Sequence, residues 1–210
     1  MTEILEAIAS AWAATSQLEI VSVAAGLLYV ILAARENIWC WPAAFVGTAT
    51  AIFLFWDASL LMESALNVYY LVMAIFGWWQ WRYGSSQKNS SDEKTELEIS
   101  SWGMYQHAIA IVLIAALTFL SGYFLQNNTG AALPYVDSFT TWAAVITTWM
   151  VTRKILENWL YWIVIDVVGI WLYSERGLYL YAVLFVAYTI IAIFGYLKWR
   201  RKYAAVINRV

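Results

Sequence analysis

The stretch YLVMAIFGWWQWR, residues 70–82, returns later in the chain as YTIIAIFGYLKWR, residues 188–200. Seven of the thirteen aligned positions are identical, and the two copies lie 118 residues apart. Further upstream, ENIWCW (36–41) matches ENWLYW (157–162), which gives a different offset of 121 residues. The sequence therefore predicts an internal repeat in which a unit of three helices occurs twice.

The amino-acid composition places this repeat in a membrane. Of the 210 residues, 63% are hydrophobic and only 12% are charged, and the mean hydropathy is +0.64. A soluble domain is typically about 45–50% apolar and about 25% charged. A soluble chain of this composition would have too few polar groups to cover its surface, so the sequence predicts an all-α integral membrane protein.

Seven apolar stretches approach or reach the roughly 17–25 residues that a helix needs to cross a bilayer. They are 18–34, 38–56, 58–81, 104–125, 138–152, 155–173 and 177–199, the fifth beginning as early as Tyr135. The predicted divisions of the chain are a surface helix (1–17), a first repeat (18–82), a cytoplasmic linker (83–103), a linking helix (104–125), a second repeat (135–202) and a cytoplasmic tail (203–210). The first division has apolar residues at helical spacing, which is typical of an amphipathic helix at the membrane surface.

The lysines and arginines are divided unevenly between the two sides of the membrane. With seven transmembrane helices, eleven of the twelve fall on one side and Arg176 falls alone on the other. Because basic residues collect in cytoplasmic loops, we expect the amino terminus outside and the carboxyl terminus in the cytoplasm. Both three-helix units then run in the same direction, so the repeat is parallel and the architecture is 3+1+3.

Several functional classes are disfavoured by what the chain lacks. A single cysteine, Cys40, and a single histidine, His107, give no basis for a disulfide framework, a metal site or a nucleophile–base pair. No cofactor, metal or enzymatic activity is therefore expected, and the net charge of −2 argues against a nucleic-acid partner. The last span has no lysine before Lys198, which argues against a retinal protein. A receptor or a structural scaffold stays an alternative to a transporter.

Three residues of the sixth span form the main candidate site. Asp166 lies near the centre of this span, where an acid disfavours insertion by at least about 2.5–3.5 kcal/mol. Trp159 and Trp162 share its helical face, and indole faces attract cations. These residues predict a binding site for a flat, positively charged ring. The alternative is a protonated aspartate that only hydrogen-bonds to another helix.

The third span supplies a second group of candidates. Asn67 and Tyr70 are hydrogen-bonding residues on one face of this span, and Asn67 alternatively bonds a neighbouring helix. Glu63 joins them, although it is near enough to the helix end to reach the interface instead. Secondary binding or gating roles are predicted for Asn158, Trp41, Tyr188 and Trp81.

The two repeats differ at the candidate positions. In the alignment, Asp166 corresponds to Phe45 in the first repeat. Conversely, Glu63 and Asn67 in the first repeat correspond to the aromatic residues Tyr181 and Phe185 in the second. A symmetric scaffold thus carries asymmetric chemistry, as the binding of an asymmetric small molecule between the two halves would require.

The same residues carry a resemblance to a known family. TRKILENWLYWIVIDVV (152–168) resembles the sixth-helix signature of the PnuC vitamin transporters, W-x-x-W-x-x-x-(N/D), and AIFGWWQW (74–81) is similar to their third-helix stretch. The resemblance extends over about residues 18–202. It implies a 3+1+3 fold related to the SWEET sugar transporters, a homotrimer, and a location in the bacterial inner membrane. It also implies facilitated diffusion, with the vitamin trapped by a cytoplasmic kinase.

The resemblance implies nicotinamide riboside, thiamine or riboflavin as the substrate. The first two are cations and riboflavin is neutral, so an aspartate at the variable position, Asp166, together with Glu63 favours a cation. Asn67, Tyr70 and Asn158 suit the hydroxyls of a ribose. We therefore expect nicotinamide riboside, with thiamine as the alternative.

Overall fold

The computed structural model describes residue 6 and residues 15–57, 61–84, 97–130 and 133–207. These contain seven α-helices, α1 (Gln17–Ala34), α2 (Cys40–Asp57), α3 (Leu61–Tyr83), α4 (Met104–Asn128), α5 (Pro134–Thr152), α6 (Asn158–Glu175) and α7 (Tyr179–Ile207). Most of the predicted surface helix at 1–17 lies outside the described residues, and so does the middle of the linker, 85–96.

Local sequence signals explain where the first helix of each repeat begins. Ser16 accepts a hydrogen bond from the backbone N–H of Glu19 (3.2 Å), and the Glu19 carboxylate accepts one from the backbone N–H of Ser16 (2.6 Å). This reciprocal pair is a capping box, which satisfies donors that the helix cannot pair internally. Pro134 opens α5 in its first turn, where a missing N–H costs no helical hydrogen bond.

The six helices of the two repeats form a closed ring. α1 packs against α2, α2 against α3, α3 against α5, α5 against α6, α6 against α7, and α7 against α1. Among the described helices, α4 packs mainly against α5, and its His107 also contacts Tyr161 of α6 (3.0 Å). It lies outside the ring and links the two units without lining the ring interior. The contacts agree with the predicted 3+1+3 arrangement.

The outer surface of the bundle is apolar. On α4, Val112 and Phe119 expose 67% and 64% of their surface, as expected of side chains that face lipid. α1, α2, α4 and α7 are long and apolar enough to cross a membrane by length and composition. The other three helices are more polar because they carry residues such as Asn67, Thr148 and Asp166, which turn towards the inside of the ring.

Two helices extend beyond their predicted ends. α7 continues to Ile207, so residues 203–207 lengthen the last helix where the sequence predicted a separate tail from 203. This segment reads YAAVI, and its alanines favour helix continuation. Similarly, α4 ends at Asn128, three residues after the predicted end at 125.

The repeat has a single offset of 118 residues, and the offset of 121 drawn from ENIWCW and ENWLYW is wrong. α2 begins at Cys40 and α6 at Asn158, and both helices have 18 residues. The turns before them contain Glu36 and Lys154, also 118 residues apart, with positive φ angles of 55° and 50°. Three residues are nearly one helical turn, so the apolar pattern fits almost equally well at either offset.

The corrected offset changes the counterpart of the intramembrane acid. Asp166 corresponds to Thr48, and the predicted correspondence to Phe45 is wrong. The Phe45 side chain points away from the ring interior and is 43% exposed, whereas Thr48 and Asp166 both face inward. The first repeat thus has a hydroxyl where the second has a carboxylate.

Candidate functional site

The ring encloses a cavity of about 340 Å³ to which all six of its helices contribute. The walls are mostly aromatic and aliphatic side chains, with a few hydroxyl and amide groups between them. None of the described residues of α4 lines it. A cavity of this kind, between two repeats of a membrane protein, is where the substrates of such folds bind.

Seven of the ten predicted site residues line this cavity, namely Trp41, Asn67, Tyr70, Trp159, Trp162, Asp166 and Tyr188. They come from four different helices, so the fold brings together residues that are far apart in sequence. The backbone of Glu63 belongs to α3, but its side chain lies outside the described residues. Trp81 and Asn158 are 2% and 0% exposed and do not belong to the cavity lining.

Asp166 is the only charged residue among the described residues that line the cavity. It is 4% exposed, and it forms no ion pair with any Lys, Arg or His in the described part of the chain. A carboxylate in such a place normally has a cationic partner or a function. A positively charged ligand would give this carboxylate its missing partner.

Tyr70 and Tyr188 occupy equivalent positions in the two repeats, 118 residues apart on α3 and α7. Both line the cavity. Gly26 makes room for the second tyrosine, because a Cβ atom at this position would be 3.0 Å from the Tyr188 hydroxyl oxygen. The two tyrosines place one hydroxyl from each repeat in the walls of the site.

Four packed indoles lie at one end of the cavity, and we call Trp41, Trp81, Trp159 and Trp199 the tryptophan floor. Trp41 and Trp159 line the cavity, and Trp81 and Trp199 lie behind them. The ring centroids of Trp41 and Trp81 are 5.3 Å apart, those of Trp81 and Trp199 are 6.1 Å apart, and those of Trp199 and Trp159 are 5.4 Å apart. The first and last of these pairs meet edge to face at 86°, a favoured aromatic geometry. The floor contains two indoles from each repeat in a symmetric order.

Two hydrogen bonds across the floor join the repeats. Trp81 Nε1 of the first repeat donates to the Val151 carbonyl of the second (3.1 Å). Trp199 Nε1 of the second repeat donates to the Ala33 carbonyl of the first (3.2 Å). Donors and acceptors are each related by 118 residues, so the two bonds obey the same pseudo-twofold symmetry as the helices.

A buried ion pair lies next to the floor. Lys154 Nζ is 3.6 Å from Glu36 Oε2 and 4.6 Å from the centroid of the Trp81 ring. Lys202 Nζ donates to the same Glu36 oxygen at 2.9 Å. With the four indoles, these contacts close the cavity at the end where the basic residues collect.

The structure gives Asn158 a contact that supports the helix. Its side-chain amide donates to the Ile155 carbonyl at 2.6 Å, just before the first turn of α6. Its position outside the lining favours this structural role over the predicted contact with ribose. The predicted gating residue Trp81 lies in the floor, where it holds the two repeats together.

The site also contains residues that the sequence did not reveal. α1 contributes Gly26, Tyr29, Ala33 and three others, and none of these was predicted. Beyond its first turn, α1 carries Ser22 as its one small polar side chain among the described cavity-lining residues of this helix apart from the Tyr29 hydroxyl, so hydropathy barely distinguishes its inner face from its lipid-facing one. Thr48 would have been found with the correct repeat offset.

The fold and the cavity define a membrane transporter of small molecules, built from two parallel three-helix units. A model of the family described as nicotinamide mononucleotide transporters matches residues 16–201. The chain belongs to this family, the PnuC-type vitamin transporters, whose members are transporters and not enzymes. The resemblance noted in the sequence is thereby confirmed.

Individual relatives are distant but cover most of the chain. The Escherichia coli nicotinamide riboside transporter PnuC is 25% identical over 204 residues, with 88% of this chain and 85% of the relative covered. The riboflavin/roseoflavin transporter RibM of Streptomyces davaonensis is 22% identical over 174 residues, with 83% and 80% covered. A crystal structure of the vitamin B3 transporter PnuC has the same fold, with a TM-score of 0.71 at 19% identity over 94% of this chain and 88% of that one. The predicted seven-helix membrane fold is confirmed.

Proposed function

We propose that this protein carries a flat, cationic vitamin across the membrane, with nicotinamide riboside as the first candidate. The observation that carries the proposal is Asp166, a buried carboxylate that lines the cavity and has no ion pair with any described residue. The positive charge of a nicotinamide ring would neutralise it in a cavity lined mostly by apolar side chains, where charge pairing is stronger than in water.

The size and the walls of the cavity support a ligand of this kind. Sites for small molecules typically have volumes of roughly 300–1,000 Å³, and the cavity of about 340 Å³ is at the lower end of that range. Trp162 and Tyr188 offer aromatic faces near the carboxylate, and a cation over such a face gains about 0.5–2 kcal/mol. Asn67 and Tyr70 offer hydrogen bonds to ribose hydroxyls, and Glu63 stays a predicted contributor.

The relatives point to two substrates, and the charge in the cavity distinguishes them. The Escherichia coli relative is named a nicotinamide riboside transporter, and the Streptomyces relative is named a riboflavin transporter. Riboflavin is neutral and would leave Asp166 without a counter-charge, which disfavours it. Thiamine is a cation and is the alternative that we retain.

The proposed mechanism is alternating access by facilitated diffusion. The two repeats rock about the ligand, and the cavity opens first to one side and then to the other. The tryptophan floor is the gate at the end with the basic residues, which we assign to the cytoplasm. A cytoplasmic kinase then traps the vitamin by phosphorylation, and the protein acts as a homotrimer in a bacterial inner membrane.

Uptake into proteoliposomes tests this proposal. Vesicles that contain the purified protein and no kinase should take up labelled nicotinamide riboside until the inside and outside concentrations are equal. Ionophores that remove ion gradients should leave this endpoint unchanged, and enclosing a nicotinamide riboside kinase with ATP should drive accumulation beyond it.

Other outcomes would contradict the proposal at different points. Uptake no faster than in protein-free vesicles, with binding retained, would identify a receptor or scaffold. Accumulation above the external concentration without the kinase would contradict facilitated diffusion. The Asp166→Ala variant tests the role of the carboxylate, and its uptake should fall close to that of the protein-free control vesicles.

A further inference from the structure

The end of the linker, residues 97–102, packs against the second repeat beside the tryptophan floor, and we call it the linker strand. The Ser100 N–H donates to the Lys154 carbonyl (3.0 Å), and the Ser100 carbonyl accepts from the Leu156 N–H (2.8 Å). These two bonds form a parallel β-bridge between the linker strand and the turn that joins α5 to α6. Among the described residues, the equivalent turn of the first repeat, 36–38, has no strand bonded to it.

Side chains anchor the linker strand in this place. Ile99 is 7% exposed and belongs to the same buried cluster as the four indoles of the tryptophan floor. The Glu157 carboxylate, at the start of α6, accepts hydrogen bonds from the Ser101 hydroxyl (2.5 Å) and from the backbone N–H of Trp102 (3.2 Å). The linker strand is therefore bonded to both ends of the turn that contains Lys154.

Lys154 joins this turn to the first repeat. Its side chain is 3% exposed, and its ammonium is 3.6 Å from the Glu36 carboxylate and 4.6 Å from the centroid of the Trp81 ring. Glu36 and Lys154 are 118 residues apart, so equivalent positions of the two repeats carry opposite charges and pair with each other. A buried ammonium that loses its partners is unstable, so this contact opposes any separation of the repeats at the floor.

We propose that the linker strand positions Lys154 and thereby sets how readily the gate at the tryptophan floor opens. This inference rests on the proposed function, in which the floor is a gate. A lysine side chain is flexible, and its ammonium stays on fixed partners more readily when the backbone that carries it is held. The linker strand holds that backbone at the Lys154 carbonyl and at the Leu156 N–H. Without these bonds the closed form is less favoured, and the gate opens more often.

Thiol labelling from the side of the floor measures how often the gate opens. Thr48 lines the cavity, so a reagent on that side reaches a cysteine at this position after the floor has opened. We would follow the labelling of Thr48→Cys over time in inside-out vesicles with a membrane-impermeant methanethiosulfonate. The chain without this substitution gives the background from the native Cys40, which is fully buried.

Two substitutions of Ser100 test the linker strand and control for each other. Proline removes the N–H group that bonds the Lys154 carbonyl, whereas alanine keeps it and changes only an exposed side chain. Labelling should be roughly 2- to 12-fold faster in Ser100→Pro, which is the effect of one hydrogen bond on the opening equilibrium, and unchanged in Ser100→Ala. Ser101→Ala removes the bond to Glu157 and should also accelerate labelling, which keeps the test decisive if the proline variant does not fold.

A Lys154→Met background distinguishes positioning of the lysine from a general loss of stability. Methionine keeps an unbranched apolar chain at this position and removes the charge. Lys154→Met should itself accelerate labelling, because the contacts with Glu36 and Trp81 are lost. Ser100→Pro should then add little, since the linker strand has no ammonium left to position. If the strand had a purely structural role, the two accelerations would multiply.

Three results would overturn the inference while the proposed function stands. They are unchanged labelling in both Ser100→Pro and Ser101→Ala, unchanged labelling in Lys154→Met, and an equal acceleration by Ser100→Pro with and without the lysine. The labelling needs no substrate, so it is independent of the uptake assay. If the unmodified protein takes up no nicotinamide riboside or thiamine into proteoliposomes, the proposed function fails, whatever the labelling shows.

Discussion

Asp166 and Thr48 occupy equivalent positions in two repeats whose helices are otherwise closely matched. Thr48 donates its hydroxyl hydrogen to the Ala44 carbonyl (2.8 Å), so it offers the cavity only acceptor capacity. Asp166 offers negative charge. Because of this one difference between the repeats, the negative charge lies on only one side of the pseudo-twofold axis. An asymmetric ligand can therefore bind in a single orientation.

Moving the charge across the pseudo-twofold axis tests this view. Asp166→Thr should weaken binding of nicotinamide riboside by at least about 2 kcal/mol, because the buried cation loses its counter-charge. Adding Thr48→Asp should restore much of the loss, because the new carboxylate faces the same cavity. Calorimetry on both variants measures the difference. A folded double variant that binds no better than Asp166→Thr would show that the two positions do not share one site.

Substitution of Trp162 tests whether an aromatic ring of the site stacks on the ligand. Its replacement by alanine should cost about 1–3 kcal/mol of binding free energy if a ring of the ligand stacks on it, by analogy with bases on aromatic residues. Trp171→Ala is the control on the same helix, because Trp171 is 48% exposed on the outer surface. Equal affinities for the two variants, measured by calorimetry, would exclude stacking on Trp162.

At the scale of the helices, the tryptophan floor both closes the cavity and joins the repeats. Its two cross-repeat hydrogen bonds end on carbonyls of α1 and α5. In the proposed mechanism, opening the cavity at this end breaks both bonds, because each one joins the two repeats. The Glu36–Lys154 contact at 3.6 Å also spans this interface.

Removing one of these bonds should destabilise the closed form. Trp199→Phe removes the indole hydrogen bond to the Ala33 carbonyl, which still accepts from the backbone N–H of Glu36 at 2.9 Å, so the expected loss is about 0.5–1.5 kcal/mol. A thermal-shift assay should show a clearly lower Tm for this variant and for its counterpart, Trp81→Phe. Trp79→Phe, on the exposed surface, should melt like the unmodified protein. An unchanged Tm in Trp199→Phe and Trp81→Phe would mean that the floor does not hold the repeats together.

The sequence predicted the helices better than it predicted their inward faces. Apolar length and the lysine–arginine bias defined seven spans because both depend on the bilayer, which acts on each helix separately. When nearly all residues of a membrane helix are apolar, the sequence does not show which face it turns to its neighbours. The helix α1 was predicted, but its cavity-lining residues, such as Gly26 and Ala33, were missed for that reason. Asp166 was found because a charge within a membrane stands out without reference to its neighbours.

The repeat alignment shows a second limit on sequence-based prediction. The Glu-Asn pairs at 36–37 and 157–158 look equivalent, but Glu36 lies in a turn with φ 55° and Glu157 is the N-cap of α6. The packing of Trp41 on Gly77 and of Trp159 on Gly195, together with the positive φ angles of Glu36 and Lys154, shows which residues correspond. Three-dimensional contacts therefore moved the counterpart of Asp166 by one helical turn, from Phe45 to Thr48.

At the scale of the whole molecule, the described part of the chain forms a ring of six helices with a seventh outside it. A single linking helix between the two three-helix units returns the chain to the side of the membrane where the first unit began. The two units can therefore run in the same direction. The basic residues then fall almost entirely on one side. The tryptophan floor, which closes the cavity, lies on the same side as these basic residues. The orientation of the protein in the membrane therefore decides whether the cavity is closed towards the cytoplasm or towards the outside in this conformation.

Accessibility of introduced cysteines tests the orientation. Gly130, between α4 and α5, should lie outside the cell, and Arg201, near the end of α7, should lie in the cytoplasm; both are exposed. A membrane-impermeant maleimide added to intact cells should label Gly130→Cys and should label Arg201→Cys only after the cells are broken. The native Cys40 is fully buried and should contribute little background. Reversed labelling would reverse the assignment of the closed end.

The claim on which the account depends is that the charge of Asp166 holds a cationic vitamin inside the ring. Asp166→Asn removes this charge and keeps the shape of the side chain, so calorimetry with nicotinamide riboside on the unmodified protein and this variant is the most direct measurement. We predict an affinity at least about 2 kcal/mol weaker in the folded variant. Equal affinities in the two proteins would contradict the account.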